Sequence, residues 1–190
     1  MHPKIELYKS TYDKYQNLKL AAKELGIAWQ TLYVYLREAD YPVTGNKEKY
    51  EAPTDKLARY TEKRFKTLVP YAEDHNTEKF QAKMDFTVKG LSIDVKAATK
   101  RDGYKNNPHK NPSFRWAFSC KVQEEQQADF LVCYCFAGNS AEDHGEVEKT
   151  LLIPREFFNN MQSLSVSCRK SKWFDFEVTE DELKSFFDSF

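Results

Sequence analysis

The order of hydrophobic periods along this 190-residue chain predicts a mixed α/β protein, α+β in its element order. A small all-α unit should precede a larger domain with a mixed central sheet flanked by helices. Three observations carry that expectation. Apolar residues recur at helical spacing through residues 18–36. The period switches to two over residues 84–95, on either side of Lys89-Gly90. Residues 129–136, Asp-Phe-Leu-Val-Cys-Tyr-Cys-Phe, make an apolar run with the length of a strand buried on both faces.

Taken in chain order, Leu18, Ala21, Ala22, Leu25, Ile27, Leu32, Tyr35 and Leu36 supply the stripe of a helix pair, broken only around Gly26. Loop chemistry from Asp40 through Pro42 and Gly45 to Asn46 closes a domain over 1–45 and opens a linker over 46–53. Pro53 before Thr54-Asp55 starts a helix through Leu57, Thr61, Phe65 and Leu68 to Pro70. Met84, Phe86 and Val88, then Leu91, Ile93 and Val95, alternate with polar residues and predict a hairpin. A polar loop over 99–113 leads to a strand at 115–122, and Trp116 and Phe118 alternate there as core residues. Residues 150–153 read as another strand, Pro154 opens a short helix, and 173–178 read as a last strand. Thr179-Glu180-Asp181-Glu182 is a capping box for a closing helix, so the second domain spans 54–190.

Composition narrows the class. Hydrophobic residues at 41% and charged residues at 31% argue against a disordered chain, and no apolar run reaches the length of a membrane span. The N-terminus lacks the apolar stretch of a secretion signal, and four unevenly spaced cysteines fit neither a disulfide framework nor a tetrahedral zinc site. A cytoplasmic protein with no membrane partner is expected. The net charge of zero conceals an uneven distribution. Residues 99–121 hold six Lys/Arg against one Asp/Glu, and residues 122–190 hold six against fourteen. The basic stretches at 1–70 and 99–121 suit nucleic acid. No Gly-rich phosphate loop, dinucleotide fingerprint or Ser-His-Asp order is present.

Ala22 and Gly26 stand four apart, where two crossing helices need a small residue and a tight turn, with Leu25, Ile27, Leu32 and Tyr35 at internal positions. Residues 18–37 therefore resemble the helix–turn–helix family. The second helix is expected over about 29–39. Trp29 at its start, Gln30, Thr31, Tyr33 and Arg37 would face the major groove of double-stranded DNA, with Gln30 and Arg37 able to bond bases bidentately.

The hairpin carries the chemistry. With Lys89-Gly90 as a two-residue turn, Val88 pairs with Leu91 and Asp85 comes opposite Asp94, while Lys96 points the same way as Asp94. Opposed carboxylates repel, and a hard divalent cation removes the conflict. Two carboxylates, a dication and a lysine are the parts of metal-assisted phosphodiester hydrolysis.

The string Asp85, eight residues, Asp94-Val95-Lys96 resembles the PD-(D/E)XK nuclease motif of the restriction-endonuclease-like superfamily, with Met84 in place of the proline. The resemblance covers residues 54–160. It implies a helix, a three-stranded antiparallel unit, a second helix and a further strand. It implies Mg2+, with Mn2+ substituting, held by Asp85, Asp94, the Val95 carbonyl and a helical glutamate, for which Glu62 is the match and Glu73, Asp74 and Glu78 are alternatives. Asp85, Asp94, Lys96 and Glu62 would be the catalytic set. Lys100, Arg101, Lys105, Lys110 and Arg115, just beyond the motif lysine, are candidate phosphate contacts.

The expected function is a magnesium-dependent, site-specific DNA endonuclease, with a homodimer if both strands are cut. A structure-selective junction or repair nuclease, and a non-catalytic DNA-binding regulator on the same fold, are the competing readings.

Overall fold

The computed structural model describes residues 3–43, 52–76, 84–106, 109–121 and 127–190. Most of the expected linker, together with Glu78, Pro108 and Val122, lies outside the described residues. The chain divides into two compact units, residues 53–74 and 84–190 forming the larger.

The smaller unit contains three helices, α1 (Ile5–Tyr15), α2 (Leu18–Leu25) and α3 (Trp29–Glu38). Asn17 caps α2, its side chain accepting the Leu20 N–H at 3.1 Å. Gly26 ends the helix in the left-handed region at φ +64°, and the Ile27 N–H returns to the Ala22 carbonyl at 3.0 Å. Leu18, Ala21, Ala22, Leu32 and Leu36 meet in one apolar cluster, as the helix-pair stripe requires. The sequence reading did not separate out α1. It adds Ile5, Tyr8 and Tyr12 to the same cluster, and the Tyr8 ring stacks on Tyr35 with centroids 5.6 Å apart.

The larger unit opens with α4 (Pro53–Leu68), and its main sheet contains β1 (Glu73–Asp74), β2 (Phe86–Val88), β3 (Leu91–Ala98), β6 (Phe130–Phe136), β7 (Val147–Pro154) and β9 (Glu177–Val178) in the order β1-β2-β3-β6-β7-β9. Only β3 and β6 run parallel; the other neighbours are antiparallel. A smaller antiparallel sheet has the order β4 (Arg101–Asp102), β5 (Phe114–Ser119), β8 (Ser163–Ser167). α5 (Arg155–Phe158) follows β7, and α6 (Glu180–Asp188) ends the chain.

The central strand β6 shows how the layers form. Val132, Tyr134 and Phe136 join Phe65 of α4 and Leu183 and Phe187 of α6 in one core. Leu131, Cys133 and Cys135 join Trp116, Phe118, Leu164, Val166 and Phe158 in a second core on the other face. A central mixed sheet flanked by helices is thus present, with the small sheet covering much of its second face. Thr179 and Glu182 form the full capping box at the start of α6.

The structure corrects several local expectations. Most of 173–178 is a 3-10 turn, Lys172–Phe176, started by the Ser171 side chain accepting the Trp173 N–H, and only Glu177–Val178 is strand. Ser163–Ser167 forms an unforeseen strand whose buried Leu164 and Val166 alternate with serines. The loop after β3 contains β4 as a short strand. The resemblance implied a helix before the next main-sheet strand, but the described residues between β3 and β6 contain β4 and β5 instead. Among the described residues no helix is long and apolar enough to cross a membrane.

Lys89 (φ +48°) and Gly90 (φ +87°) both take positive φ, which gives the β2–β3 hairpin a type I′ turn and holds Val88 against Leu91. Gly90→Ala should cost about 1–2 kcal/mol. A fall in melting temperature of about 3–6 °C would be the readout.

Candidate functional site

The register of β2 and β3 is the one the alternation predicts: Val88↔Leu91, Thr87↔Ser92 and Phe86↔Ile93. Phe86, Val88, Ile93 and Val95 face the helix-side core. Asp94 and Lys96 lie on the other face, in register with Leu131 and Cys133 of parallel β6. The regular ladder ends at Phe86↔Ile93. Beyond it, the Asp85 N–H donates to the Ile93 carbonyl at 3.0 Å, and Asp85 Oδ2 accepts the Val95 N–H at 2.8 Å. The Asp85 side chain thus takes the place of a backbone acceptor, and its carboxylate comes within hydrogen-bonding reach of Asp94.

Asp94 is 4% exposed and Asp85 9%. Both Asp94 oxygens lie 2.8 Å from Lys96 Nζ, whose side chain keeps 26% of its surface exposed. Burial is the main reason the Asp94 carboxyl is pushed up to about 6; the neighbouring Asp85 charge adds to the rise and Lys96 opposes it. Burial draws Lys96 down, but the charges of Asp94 and Asp85 outweigh it and its pKa ends above the ordinary lysine value. Lys96 is therefore a firmly protonated ammonium at neutral pH. It can position a water or steady negative charge, and its raised pKa disfavours Lys96 as the base that takes a proton from an attacking water.

Glu62 does not join this group. It sits on α4, which packs on the opposite face of the hairpin. It is 2% exposed, and its Oε2 lies 3.5 Å from Arg59 Nη1. The same Arg59 nitrogen stands 4.0 Å from Asp74 Oδ2, so two of the candidate acids converge on one arginine. Among the described residues, no group of three His, Cys, Asp or Glu side chains could hold one metal ion. The donor set that remains is a carboxylate pair, Asp85 and Asp94, with one member's pKa raised. Hard oxygens crowded by like charge fit a magnesium-type cation that completes its shell with water and substrate oxygens.

The phosphate-contact candidates separate by environment. Arg101 and Arg115 are direct cross-strand partners, and Arg115 pairs in turn with Ser167. Opposed like charges disfavour the pairing by themselves. The Arg115 guanidinium lies over Gly103, where a Cβ would sit within 2.5 Å of it, and 6.0 Å from the Tyr104 ring centroid. Lys110 Nζ stands 4.5 Å above the same ring. Asp102 Oδ1 pins this loop by accepting the N–H groups of Tyr104 (3.0 Å) and Ser113 (2.9 Å), which hold its carboxyl below the ordinary value. Lys105 is exposed. Lys100, expected among these contacts, is ion-paired with Glu148 of β7, a partner too distant in sequence for local reading to find.

In the smaller unit, Gln30, Thr31, Val34 and Arg37 are exposed on α3. Trp29 and Tyr33 are half-buried and pack against the three-helix core, which makes them the least available of the expected base contacts.

Sequence reasoning missed two features that border or brace the hairpin. The half-exposed Cys120 lies close enough to Lys96 and Asp94 for their charges to act on its thiol. A clip anchors β3 to β6: Asp129 Oδ2 accepts the Ser92 N–H (2.8 Å) and hydroxyl (2.7 Å), and Arg155 pairs with Asp129. The Asp129-Phe130 start of β6 gave no periodic signal of this.

Comparison with known proteins returns no matching family model, no matching curated protein and no matching solved structure.

The raised Asp94 pKa has a consequence for stability. In the native state Asp94 binds a proton between about pH 4 and pH 6, where the unfolded chain has released it. This contribution is complete below about pH 4 and is lost as pH rises through 6. In EDTA, Asp94→Asn should match the wild type near pH 4 and be more stable at pH 7–8, by on the order of 2 kcal/mol. Paired denaturation curves across that range measure the difference; a constant gap would contradict the assignment.

Proposed function

We propose that this chain is a magnesium-dependent phosphodiesterase acting on double-stranded DNA. The larger unit hydrolyses the strand, and the three-helix unit reads or grips the duplex. The observation that carries the reading is the convergence of Asp85, Asp94 and Lys96 on one largely buried face. Their charges sum to one negative. A dication makes that one positive, and a phosphodiester, with its single negative charge, brings the site to neutrality. The resemblance to PD-(D/E)XK nucleases points the same way.

Asp85 and Asp94, with the Val95 carbonyl, would hold the ion. Bound there, magnesium supplies Lewis-acid polarisation of the phosphoryl group and a more acidic water. The chain's own residues do the rest. Lys96, held by Asp94 as an ammonium, would donate toward the phosphoryl oxygens and steady the charge that builds as water adds to phosphorus. That water would lose a proton to bulk solvent, and as the P–O bond breaks the leaving oxygen would take a proton from solvent. Asp85 keeps the site rigid through its bond to the Val95 N–H. Arg101, Arg115, Lys105 and Lys110 bind neighbouring phosphates, which adds affinity without base discrimination. Gln30 and Arg37, exposed on α3, are the base-reading candidates. A single site per chain cuts one strand, so cleavage of both calls for two copies, and sedimentation on DNA tests this.

Cleavage of plasmid, phage genomic and branched DNA in magnesium or manganese is the direct test. Asp94→Ala should abolish cutting and Lys96→Ala should slow it about 10²–10³-fold. At magnesium concentrations far below saturation, where the proton and the metal compete for Asp94, wild-type rates should climb about tenfold per pH unit below 6 and level off above 7. Tight metal-independent binding without cutting would instead indicate a regulator, and cutting confined to branched DNA a junction nuclease.

Binding measured as a function of salt separates the two kinds of contact. Arg115→Ala should weaken all sequences alike and reduce the slope of log K against log salt by about one. Gln30→Ala or Arg37→Ala should instead relax preference at one base position by about 1–3 kcal/mol.

A further inference from the structure

A cleft of about 300 Å³ opens at the end of the small sheet where β5 begins and β8 finishes, and it is independent of the Asp85–Asp94–Lys96 face. One wall is the Phe114 ring, 47% exposed although it lies on a strand. Two cations, Lys100 and Arg169, line it together with the hydrogen-bonding groups of Asn111, Ser113 and Ser167, and no carboxylate among the described residues does so. Glu148, which pairs with Lys100, is not part of the lining. An exposed flat ring, two positive charges and several amide and hydroxyl groups around a space at the small end of the ligand-pocket range suit a planar heterocycle carrying an anion.

We infer that this cleft binds one unstacked nucleotide of the nucleic-acid partner, its base against Phe114 and its phosphate on Arg169 and Lys100. The identity of the ligand as nucleic acid rests on the phosphodiesterase reading; the cleft chemistry does not. Lys100 follows Lys96 by four residues, a reach of at most about 14 Å, or about four nucleotide steps at 3.4 Å each. The cleft thus takes a nucleotide flanking the scissile bond and fixes the register of the strand. Stacking on an aromatic ring tolerates any base, so the cleft selects unstacked structure over sequence.

The test uses the full chain in EDTA, with the metal site silent, and deoxynucleoside 5′-monophosphates as probes, their dissociation constants read by saturation-transfer NMR. The monophosphates should bind more tightly than the corresponding deoxynucleosides and than inorganic phosphate. Phe114→Ala and Arg169→Ser, both at exposed positions, should each weaken binding about tenfold. Absence of mononucleotide binding, indifference to both cleft variants, or phosphate binding as tightly as the nucleotide would each overturn the assignment. Mononucleotide binding that depends on Phe114, in a chain that cuts no DNA, would keep the cleft and remove the nuclease. Cleavage without mononucleotide binding would do the reverse.

Discussion

The register of one short hairpin decides whether the rest of the structure has chemistry to support. β2 and β3 are joined by two residues, and the positive φ values at Lys89 and Gly90 let the turn follow the natural strand twist. A slip of one residue would carry Asp94 and Lys96 into the Phe65–Phe86 core and send Ile93 and Val95 to the polar side. That alternative is disfavoured twice over. It buries charge among aromatic rings, and it removes apolar area from the α4 and α6 layer. The clip from Asp129 to Ser92 fixes the start of β3 against β6, so both edges of the strand are tied.

Given that register, the site is defined by two carboxylates and one ammonium on a largely buried face. Lys96 satisfies both oxygens of Asp94, and the Val95 N–H satisfies one oxygen of Asp85. The two carboxylates and the ammonium lie beside a layer of Leu131, Cys133 and Trp116. Crowding and burial raise the free energy of the ionised Asp94 carboxylate, which proton uptake or a bound cation would relieve. The charges of Asp94 and Asp85 also raise the Lys96 pKa, so the metal-free arrangement favours the ammonium.

The sequence displayed whatever is local. Period-two alternation gave the hairpin and its faces, Gly26 and the Leu18–Leu36 stripe gave the helix turn, and Thr179 with Glu182 gave the last cap. What it concealed depends on distant partners. Glu62 follows Thr61 on a plainly amphipathic helix, but nothing local says on which side of a sheet that helix will pack, and the answer separates Glu62 from the aspartates. β8 reads as polar because three of its five residues are serine; its strand character comes from pairing with β5 and from the two side chains it buries. Residues 172–176 carry enough aromatics to suggest a strand, but Trp173, Phe174 and Phe176 break strict alternation, and the Ser171 cap turns the chain instead.

The two sheets present the same physical problem with opposite signs. On the main sheet two carboxylates crowd each other at the end of a ladder. On the small sheet Arg101 and Arg115 are direct cross-strand partners in a row that ends at Ser167. A cation would suit the first and an anion the second, although the Arg115 guanidinium turns toward Gly103 and Tyr104 and its charge also acts on Asp102. A monovalent anion or cation alone relieves one and leaves the other. A phosphate-bearing polymer with divalent counterions would suit both, its cation at Asp85 and Asp94 and its other phosphates at the arginines. Carboxylates on one sheet and arginines on the other, within one compact unit, are the charge pattern that the proposed nucleic-acid partner would require.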